Sequence, residues 1–145
     1  MKGKFITLEG PEGSGKTTVS NRIVKMLEEK GNKKVVLTDL TREDMAEAVE
    51  DAFRYSNLIV ASSSYNAGLF PPMEHFLKHL KERNYQKRKV AIIENGSWAP
   101  SAGKIMKNIL QEMKDIDIIE PTITIQSTLK ETDMPALKEL VKHFE

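Results

Sequence analysis

The chain has 145 residues, of which 22 are basic and 21 acidic, and it has no cysteine. This length suits one domain spanning residues 1–145. The balanced charge argues against a global attraction to nucleic acid or membrane, and the lack of cysteine excludes disulfides, thiolate metal sites and a cysteine nucleophile. Because no apolar run approaches the roughly 20 residues of a membrane helix and no targeting segment follows Met1, we expect a cytoplasmic protein, monomeric or weakly dimeric.

Strand-like and helix-like stretches alternate five times, which predicts a three-layer α/β/α fold with a doubly wound, five-stranded parallel sheet. The predicted strands cover residues 5–8, 35–37, 58–61 and 90–93, with a fifth inside 116–125. Apolar residues at helical spacing predict the five helices. Their inward positions are Val19, Ile23, Met26 and Leu27; Met45, Val49, Ala52 and Phe53; Met73, Phe76, Leu77 and Leu80; Ile105, Ile109, Leu110 and Met113; and Leu137, Leu140, Val141 and Phe144.

Several residues predict where these elements end. Gly31 ends the first helix, and Pro71-Pro72 opens the third. Thr41, with Asp44 three positions on, predicts a capping box for the second helix, and Thr132 predicts the cap of the last. Pro121 interrupts the fifth strand and so predicts an edge position or a bulge, because proline cannot donate to a central ladder.

The strongest motif lies between the first strand and the first helix and reads Gly10-Pro11-Glu12-Gly13-Ser14-Gly15-Lys16-Thr17-Thr18. It fits the Walker A pattern, in which backbone N–H groups and the helix N-terminus surround a phosphate. Lys16 would approach a terminal phosphate, and Thr17 would ligate magnesium only if a magnesium nucleotide binds. The predicted phosphate-binding residues are Gly10, Glu12, Gly13, Ser14, Gly15, Lys16, Thr17 and Thr18. A plain glycine-rich turn is the alternative, and the dinucleotide fingerprint fits less well because Thr18 replaces its third glycine.

Two further loops follow the third and fourth strands, at the edge where open parallel sheets bind ligands. The first runs from Ser62 to Pro71 and contains Tyr65, and the second runs from Glu94 to Pro100 and contains Trp98. An aromatic ring in each loop could hold a flat heterocycle between them, and a flavin suits this description. Alternatively, both rings pack on neighbouring loops or on the end of the third helix.

Other polar residues offer weaker candidates. Asp39 could be a metal partner or a ribose ligand, but a solvated acid or a cap of the next turn is the simpler interpretation. Glu94 lies near the predicted site without a paired carboxylate, so no acid or base role is assigned to it. His75 and His79 share i, i+4 spacing but have no third ligand, and they are interpreted, with His143, as surface residues; no metal site is predicted.

The first thirty or so residues resemble the N-terminus of thymidylate kinases, in which Lys-Phe-Ile-Thr-Leu-Glu-Gly-Pro-Glu-Gly-Ser-Gly-Lys-Thr-Thr is a familiar opening. From about Thr41 onward this resemblance stops. The chain also lacks the Asp-Arg pair that these kinases carry after the third strand, where Ser62-Ser63-Ser64 stands instead, and it lacks evident lid arginines. Kinase turnover is therefore not expected.

Residues from about 41 to 145 resemble the flavodoxin domain that closes flavodiiron proteins. The similarity rests on Asp44-Met45-Ala46-Glu47-Ala48-Val49, Ala52-Phe53-Arg54-Tyr55-Ser56, Ser63-Ser64-Tyr65-Asn66-Ala67-Gly68, Phe70-Pro71-Pro72-Met73 and Glu94-Asn95-Gly96-Ser97-Trp98-Ala99-Pro100-Ser101. This resemblance implies the strand order 2-1-3-4-5 and an FMN ring held by two loops. The implied flavin-binding residues are Ser62, Ser63, Ser64, Tyr65, Asn66, Ala67, Gly68, Asn95, Gly96, Ser97, Trp98 and Ala99.

The two resemblances meet between Gly31 and Thr41 and lead to the hypothesis of an engineered chimera. A P-loop stands where flavodoxins have a loop rich in serine, threonine and asparagine. The flavodiiron metal domain is missing, so its oxygen or nitric oxide chemistry is not expected. Three functions stay open. They are an FMN-binding electron carrier with its phosphate in the P-loop, a binder of ATP, GTP, phosphate or sulfate, and a scaffold combining two folds without activity.

Overall fold

A computed structural model describes residues 4–8, 16–31, 34–65, 68–96, 101–126 and 129–144 of the chain. For residues 4–8, 16–18 and 65 it describes the backbone. All statements below concern these residues.

Parallel strands form the centre of the described structure. They are β1 (Lys4–Leu8), β2 (Val35–Asp39), β3 (Asn57–Tyr65), β5 (Arg88–Asn95), β6 (Ile116–Ile118) and β7 (Ile123–Ile125), joined by a two-residue strand β4 (Gly68–Leu69). The order across the sheet is β2-β1-β3-β5-β6. Strand β7 lies on the same side of β5 as β6 and pairs with a later part of that strand. Among the described strands, only β4 is antiparallel to its partner, β3. Since β6 and β7 together form the predicted fifth strand, the fold class and the order 2-1-3-4-5 are confirmed.

Helices cover both faces of this sheet. They are α1 (Lys16–Glu29), α2 (Met45–Arg54), α3 (Pro71–Glu82), α4 (Ala102–Gln111) and α5 (Met134–Lys142), the last preceded by a 3-10 turn (Glu131–Asp133). Successive strand residues point to opposite faces. Accordingly Leu58 and Val60 of β3 join a core cluster with α2, α3 and α4, whereas Ile59 joins a second cluster with α1 and α5.

The first helix packs closely into the second cluster. Its residues Val19, Ile23 and Leu27 are buried beside Leu137 and Phe144 from the end of the chain. Gly31 follows α1 with a φ of +87°, a left-handed conformation that glycine adopts without strain. The predicted apolar stripe and the end of the first helix are therefore confirmed.

Both predicted helix caps are wrong. For α2, the cap is Asp44, whose carboxylate accepts a hydrogen bond from Ala46 N at 3.0 Å. Thr41 lies three residues before this cap, and its hydroxyl donates to the Asp39 carboxylate at 2.6 Å. Thr132 lies inside the 3-10 turn, and α5 follows from Asp133.

The proline in the fifth strand lies at the sheet edge, as predicted. Pro121 stands between β6 and β7, both of which pair with β5 alone in the sheet order. The Glu120–Pro121 peptide bond is cis. The missing N–H of Pro121 therefore falls in a gap between two short edge strands, where no ladder hydrogen bond is needed.

Candidate functional site

The candidate site lies at the carboxyl edge of β1, β3 and β5. Leu8, the last residue of β1, is in register with Ala61 of β3. Beyond this point β3 and β5 continue together, with Ser62 opposite Glu94 and Ser63 opposite Asn95. Leu8, which precedes the Walker A motif in the sequence, therefore lies at the edge where β3 and β5 extend further.

These extensions correct the predicted loop boundaries. Ser62–Tyr65 belongs to β3 and Glu94–Asn95 to β5, whereas the sequence favoured loops at both places. Serine is common in turns, so its side chain gives no strand signal. Pairing between two neighbouring strands supplies the missing backbone partners, and this pairing is not visible in either local sequence.

The predicted phosphate site falls partly outside the described residues. Gly10, Glu12, Gly13, Ser14 and Gly15 lie in the undescribed stretch. Lys16, Thr17 and Thr18 form the first turn of α1. Since α1 follows β1, its N-terminus lies at the same edge of the sheet as the ends of β3 and β5.

The predicted flavin site is likewise described in part. Asn66, Ala67, Ser97, Trp98 and Ala99 lie outside the described residues, and the structure gives the backbone of Tyr65, which pairs with Gly68. Ser62 and Ser63 are buried, and with Asn95 they line a cavity of about 20 Å³ next to Val19 of α1. The half-buried Gly96 donates its N–H to Ile125 O at 3.2 Å. The candidate residues from both strands thus converge at the start of α1.

Ser64 contacts the N-terminus of α4. Its Oγ accepts hydrogen bonds from Ser101 N at 2.8 Å and from Ala102 N at 3.1 Å. The Ser101 hydroxyl in turn contacts Gly68 O at 3.5 Å. The end of β3 is therefore connected to the first turn of a helix 37 residues further along the chain.

Glu94 contacts the same helix end from β5. Its side chain is buried, and its carboxylate accepts a hydrogen bond from the Gly103 N–H. Burial raises the pKa of this carboxyl above its ordinary value, while the Gly103 hydrogen bond opposes the shift. A Cβ at Gly103 would lie 2.2 Å from Glu94 Oε2. This contact was not predicted, because nothing in the local sequence indicates that Glu94 and Gly103 meet.

Three other helices also begin at the carboxyl edge, and their N-termini are unsuited to an anion. The N-terminus of α2 already carries the Asp44 carboxylate. In α3 the first two residues are Pro71 and Pro72, which have no N–H to offer. In α4 the N–H groups of residues 101–103 donate to Ser64 and Glu94.

Asp39 forms a cap of the next turn, as the simpler interpretation predicted. Its carboxylate accepts from Thr41 N at 3.0 Å and lies 3.7 Å from the Arg42 guanidinium. His79 lies 3.1 Å from the guanidinium of Arg83 and 3.9 Å from the carboxylate of Glu82. Within the described ranges, no three histidine or acidic side chains are grouped to hold a metal ion.

A larger groove lies between α2 and α3 and contains none of the predicted site residues. Its volume is about 510 Å³, and its walls include Met45, Val49, Phe53, His79 and Arg83. As for the helices themselves, none in the described parts of the chain is both long enough and apolar enough to cross a bilayer.

Comparisons with known proteins find similarity to kinases in sequence and to flavodoxins in fold. Residues 5–127 match the family model described as "Phosphoribulokinase / Uridine kinase family". Thymidylate kinase from Bacillus cytotoxicus is 43% identical over 54 residues, which cover 37% of this chain and 24% of that enzyme. The chain therefore spans about a quarter of the length of this relative. The aligned stretch is longer than the thirty or so residues that we assigned to the kinase resemblance.

The whole chain is similar to flavodoxins in structure. Flavodoxin 1 from Bacillus cereus superposes with a TM-score of 0.83 at 15% identity, covering 99% of this chain and 97% of that one. The flavodiiron protein from Giardia intestinalis gives a TM-score of 0.86 at 14% identity, covering 99% of this chain and 36% of that one. At these identities the likeness shows the fold. The chain thus belongs by sequence to the phosphoribulokinase / uridine kinase family, and it combines a P-loop kinase element with a flavodoxin-like fold, as a chimera of the two does.

Proposed function

We propose that the chain binds FMN, with the FMN phosphate at the Walker A motif and the isoalloxazine ring between Tyr65 and Trp98. The observation that carries this proposal is the register at the carboxyl edge. Leu8 pairs with Ala61, and β3 and β5 continue past this point side by side. A phosphate group bound at the start of α1 would therefore have the two predicted ring loops next to it.

A comparison of the helix N-termini supports α1 as the helix that would bind the FMN phosphate. An N-terminus binds an anion through N–H groups that have no other acceptor. The start of α2 carries a carboxylate, and the start of α3 has two prolines. At the start of α4 the N–H groups already donate to Ser64 and Glu94. Four helices, α1 to α4, follow β1, β2, β4 and β5, respectively. Of these, α1, which follows the Walker A motif, remains as the helix whose N-terminus would bind the phosphate.

The direct test is a titration of the purified protein with FMN, followed by flavin absorbance and by the fluorescence of Trp98, the only tryptophan in the chain. ATP and inorganic phosphate serve as competitors. We expect saturable binding, quenched tryptophan emission and competition by phosphate. If FMN does not bind while ATP or phosphate does, the P-loop functions alone.

Lys16→Ala separates the two halves of the proposed site. A hydrogen bond to a charged group contributes about 1.5–3 kcal/mol, so its loss corresponds to about a tenfold to hundredfold weaker FMN affinity. Riboflavin, which has no phosphate, should bind both proteins equally. An equal loss for riboflavin and FMN would remove the P-loop from the proposal.

Binding of ATP, GTP or inorganic phosphate is the second candidate, and the similarity to thymidylate kinase favours it. We do not propose kinase turnover, because β3 continues into Ser62–Ser64 where these kinases carry their Asp-Arg pair. Without an acidic side chain there to help hold magnesium, positioning and charge neutralisation in phosphoryl transfer would be poor. A magnesium nucleotide would use the Thr17 hydroxyl. We expect no nucleic acid or membrane partner for either function.

We further propose that the combination of two families was engineered, with the junction between Gly31 and Thr41. The idea is physically reasonable, since both families are expected to bind an anion at the N-terminus of the first helix. A genomic locus that encodes the junction intact would disprove the engineered origin. A protein that folds but binds neither FMN, ATP nor phosphate would instead be a scaffold without activity.

A further inference from the structure

We propose that Ser64 and Glu94 are positioning residues, which fix the N-terminus of α4 and thereby set where the two predicted ring loops begin and end. The inference rests on the proposed flavin site. Neither residue needs to touch the ligand for this role. The sequence predicted Ser64 to contact the flavin, whereas this inference gives Ser64 the role of supporting the flavin site.

The geometry at Ser64 carries the first step. Gly96 and Ser101 flank, in the sequence, the four residues that include Trp98, and each of these two residues is held by a hydrogen bond. Gly96 N donates to Ile125 O, and Ser101 N donates to Ser64 Oγ at 2.8 Å. Ser64 is therefore the side chain that holds Ser101, the first described residue after Trp98.

The same serine lies at the start of the other loop. Ser64 pairs with Leu69 and Tyr65 pairs with Gly68, so the β3–β4 ladder flanks Asn66 and Ala67 in the sequence. The Ser101 hydroxyl reaches Gly68 O from the α4 side. One cluster of hydrogen bonds thus joins Ser101 and Ala102 to Ser64 of β3 and to Gly68 of β4.

Glu94 contacts α4 from strand β5. Its carboxylate occupies the space that a side chain at position 103 would fill, since a Cβ there would lie 2.2 Å from Oε2 and 2.9 Å from Thr122 Cγ2. A carboxylate at a helix N-terminus is also favoured by the helix dipole. Gly103 therefore permits an approach that locks α4 against β5, on the same face as Ser64.

The experiment compares Ser64→Ala with Asp44→Ala, which removes the cap of α2 instead. Each variant removes a side chain that accepts from backbone N–H groups at a helix N-terminus, so both variants should lose similar stability. We expect only Ser64→Ala to weaken the binding of FMN and riboflavin, by about fivefold to tenfold, which corresponds to about 1–1.4 kcal/mol. Phosphate affinity should stay unchanged in both, and Ser64→Thr, which keeps the hydroxyl, should restore flavin binding.

Acrylamide quenching of Trp98 in the ligand-free protein gives a second measurement that does not depend on flavin. Ser64→Ala should change the quenching constant, while Asp44→Ala should leave it as in the wild type. If the wild type binds no flavin but the quenching differs, the proposed function fails and the positioning role stands. If the two variants behave alike in quenching or in flavin binding, the positioning role is overturned.

Discussion

At the scale of single residues, Tyr85 departs from the rule that buried polar atoms are paired. Tyr85 is buried, and its hydroxyl has no hydrogen-bond partner among the described residues. Its ring meets Phe53 edge-on at 5.3 Å and lies 5.3 Å from the Arg88 guanidinium. Burial raises the pKa of the Tyr85 phenol, so the group remains neutral over the ordinary pH range. The Tyr85 ring is thus well packed, whereas its hydroxyl oxygen has no hydrogen-bond partner among the described residues.

Tyr85→Phe is expected to raise the free energy of unfolding by about 1 kcal/mol, because a buried unpaired hydroxyl costs about 1–3 kcal/mol. Both ring contacts persist in this variant. Tyr85→Leu, which removes them, should destabilise the protein. Urea unfolding of the three proteins tests this, and a less stable Tyr85→Phe would show that the hydroxyl has a partner after all.

Glu94 makes stability depend on pH in the opposite sense from a carboxylate in a salt bridge. Its pKa is raised in the folded state above the ordinary 4.5, so the folded protein retains the proton more strongly than the unfolded chain. The stabilisation is complete below pH 4.5 and is lost as the pH rises through the folded-state pKa. We expect Glu94→Gln to remove this loss.

Measuring the free energy of unfolding from pH 4 to 8 for wild type and Glu94→Gln tests the assignment. The difference between them should change with pH in favour of the variant. A constant difference would mean that the Glu94 pKa is the same in the folded and unfolded states.

At the level of elements, sequence patterns predicted the helices and strands well because each pattern is local. The apolar stripe of α1 and the continuous apolar run of β5 belong to one segment each. By contrast, the cap of α4 comes from Ser64 and the close approach to Gly103 comes from Glu94, on two different strands. Such contacts depend on how strands pair and where helices pack, and no nearby residue signals them. The sequence thus indicated where the candidate site lies in the fold, but not which contacts form it.

The packing of α1 provides a test of the element that carries the Walker A motif. Ile23 is 1% exposed and contacts the cluster shared with α5. Ile23→Ala should therefore lower the free energy of unfolding by about 2–5 kcal/mol. The exposed neighbour Asn21 serves as the control, since surface changes usually stay within about 0.5 kcal/mol. Equal effects in denaturant titrations would indicate that α1 is not packed on the sheet.

For the whole molecule, the two family resemblances meet inside one core. Val19, Ile23 and Leu27 from the kinase-like part share a buried cluster with Leu137 and Phe144 from the flavodoxin-like part. Neither set can leave the cluster without exposing the other. The parts are therefore expected to unfold together.

Cooperativity can be checked by following urea unfolding with far-ultraviolet circular dichroism and with Trp98 fluorescence. The two transitions should coincide in midpoint and slope. A separate early transition in one signal would mean that the kinase-like element detaches before the remainder.

The division of the outer strand also bears on how the protein behaves at high concentration. A long, continuous edge strand offers a row of free N–H and C=O groups on which another chain can add a strand and begin aggregation. Here the edge next to β5 consists of two three-residue strands with Pro121 in the gap. The opposite edge, β2, is an unbroken five-residue strand with the half-exposed Leu37. Any edge-to-edge association should therefore proceed through β2. The substitution Leu37→Lys would be the simplest way to prevent it.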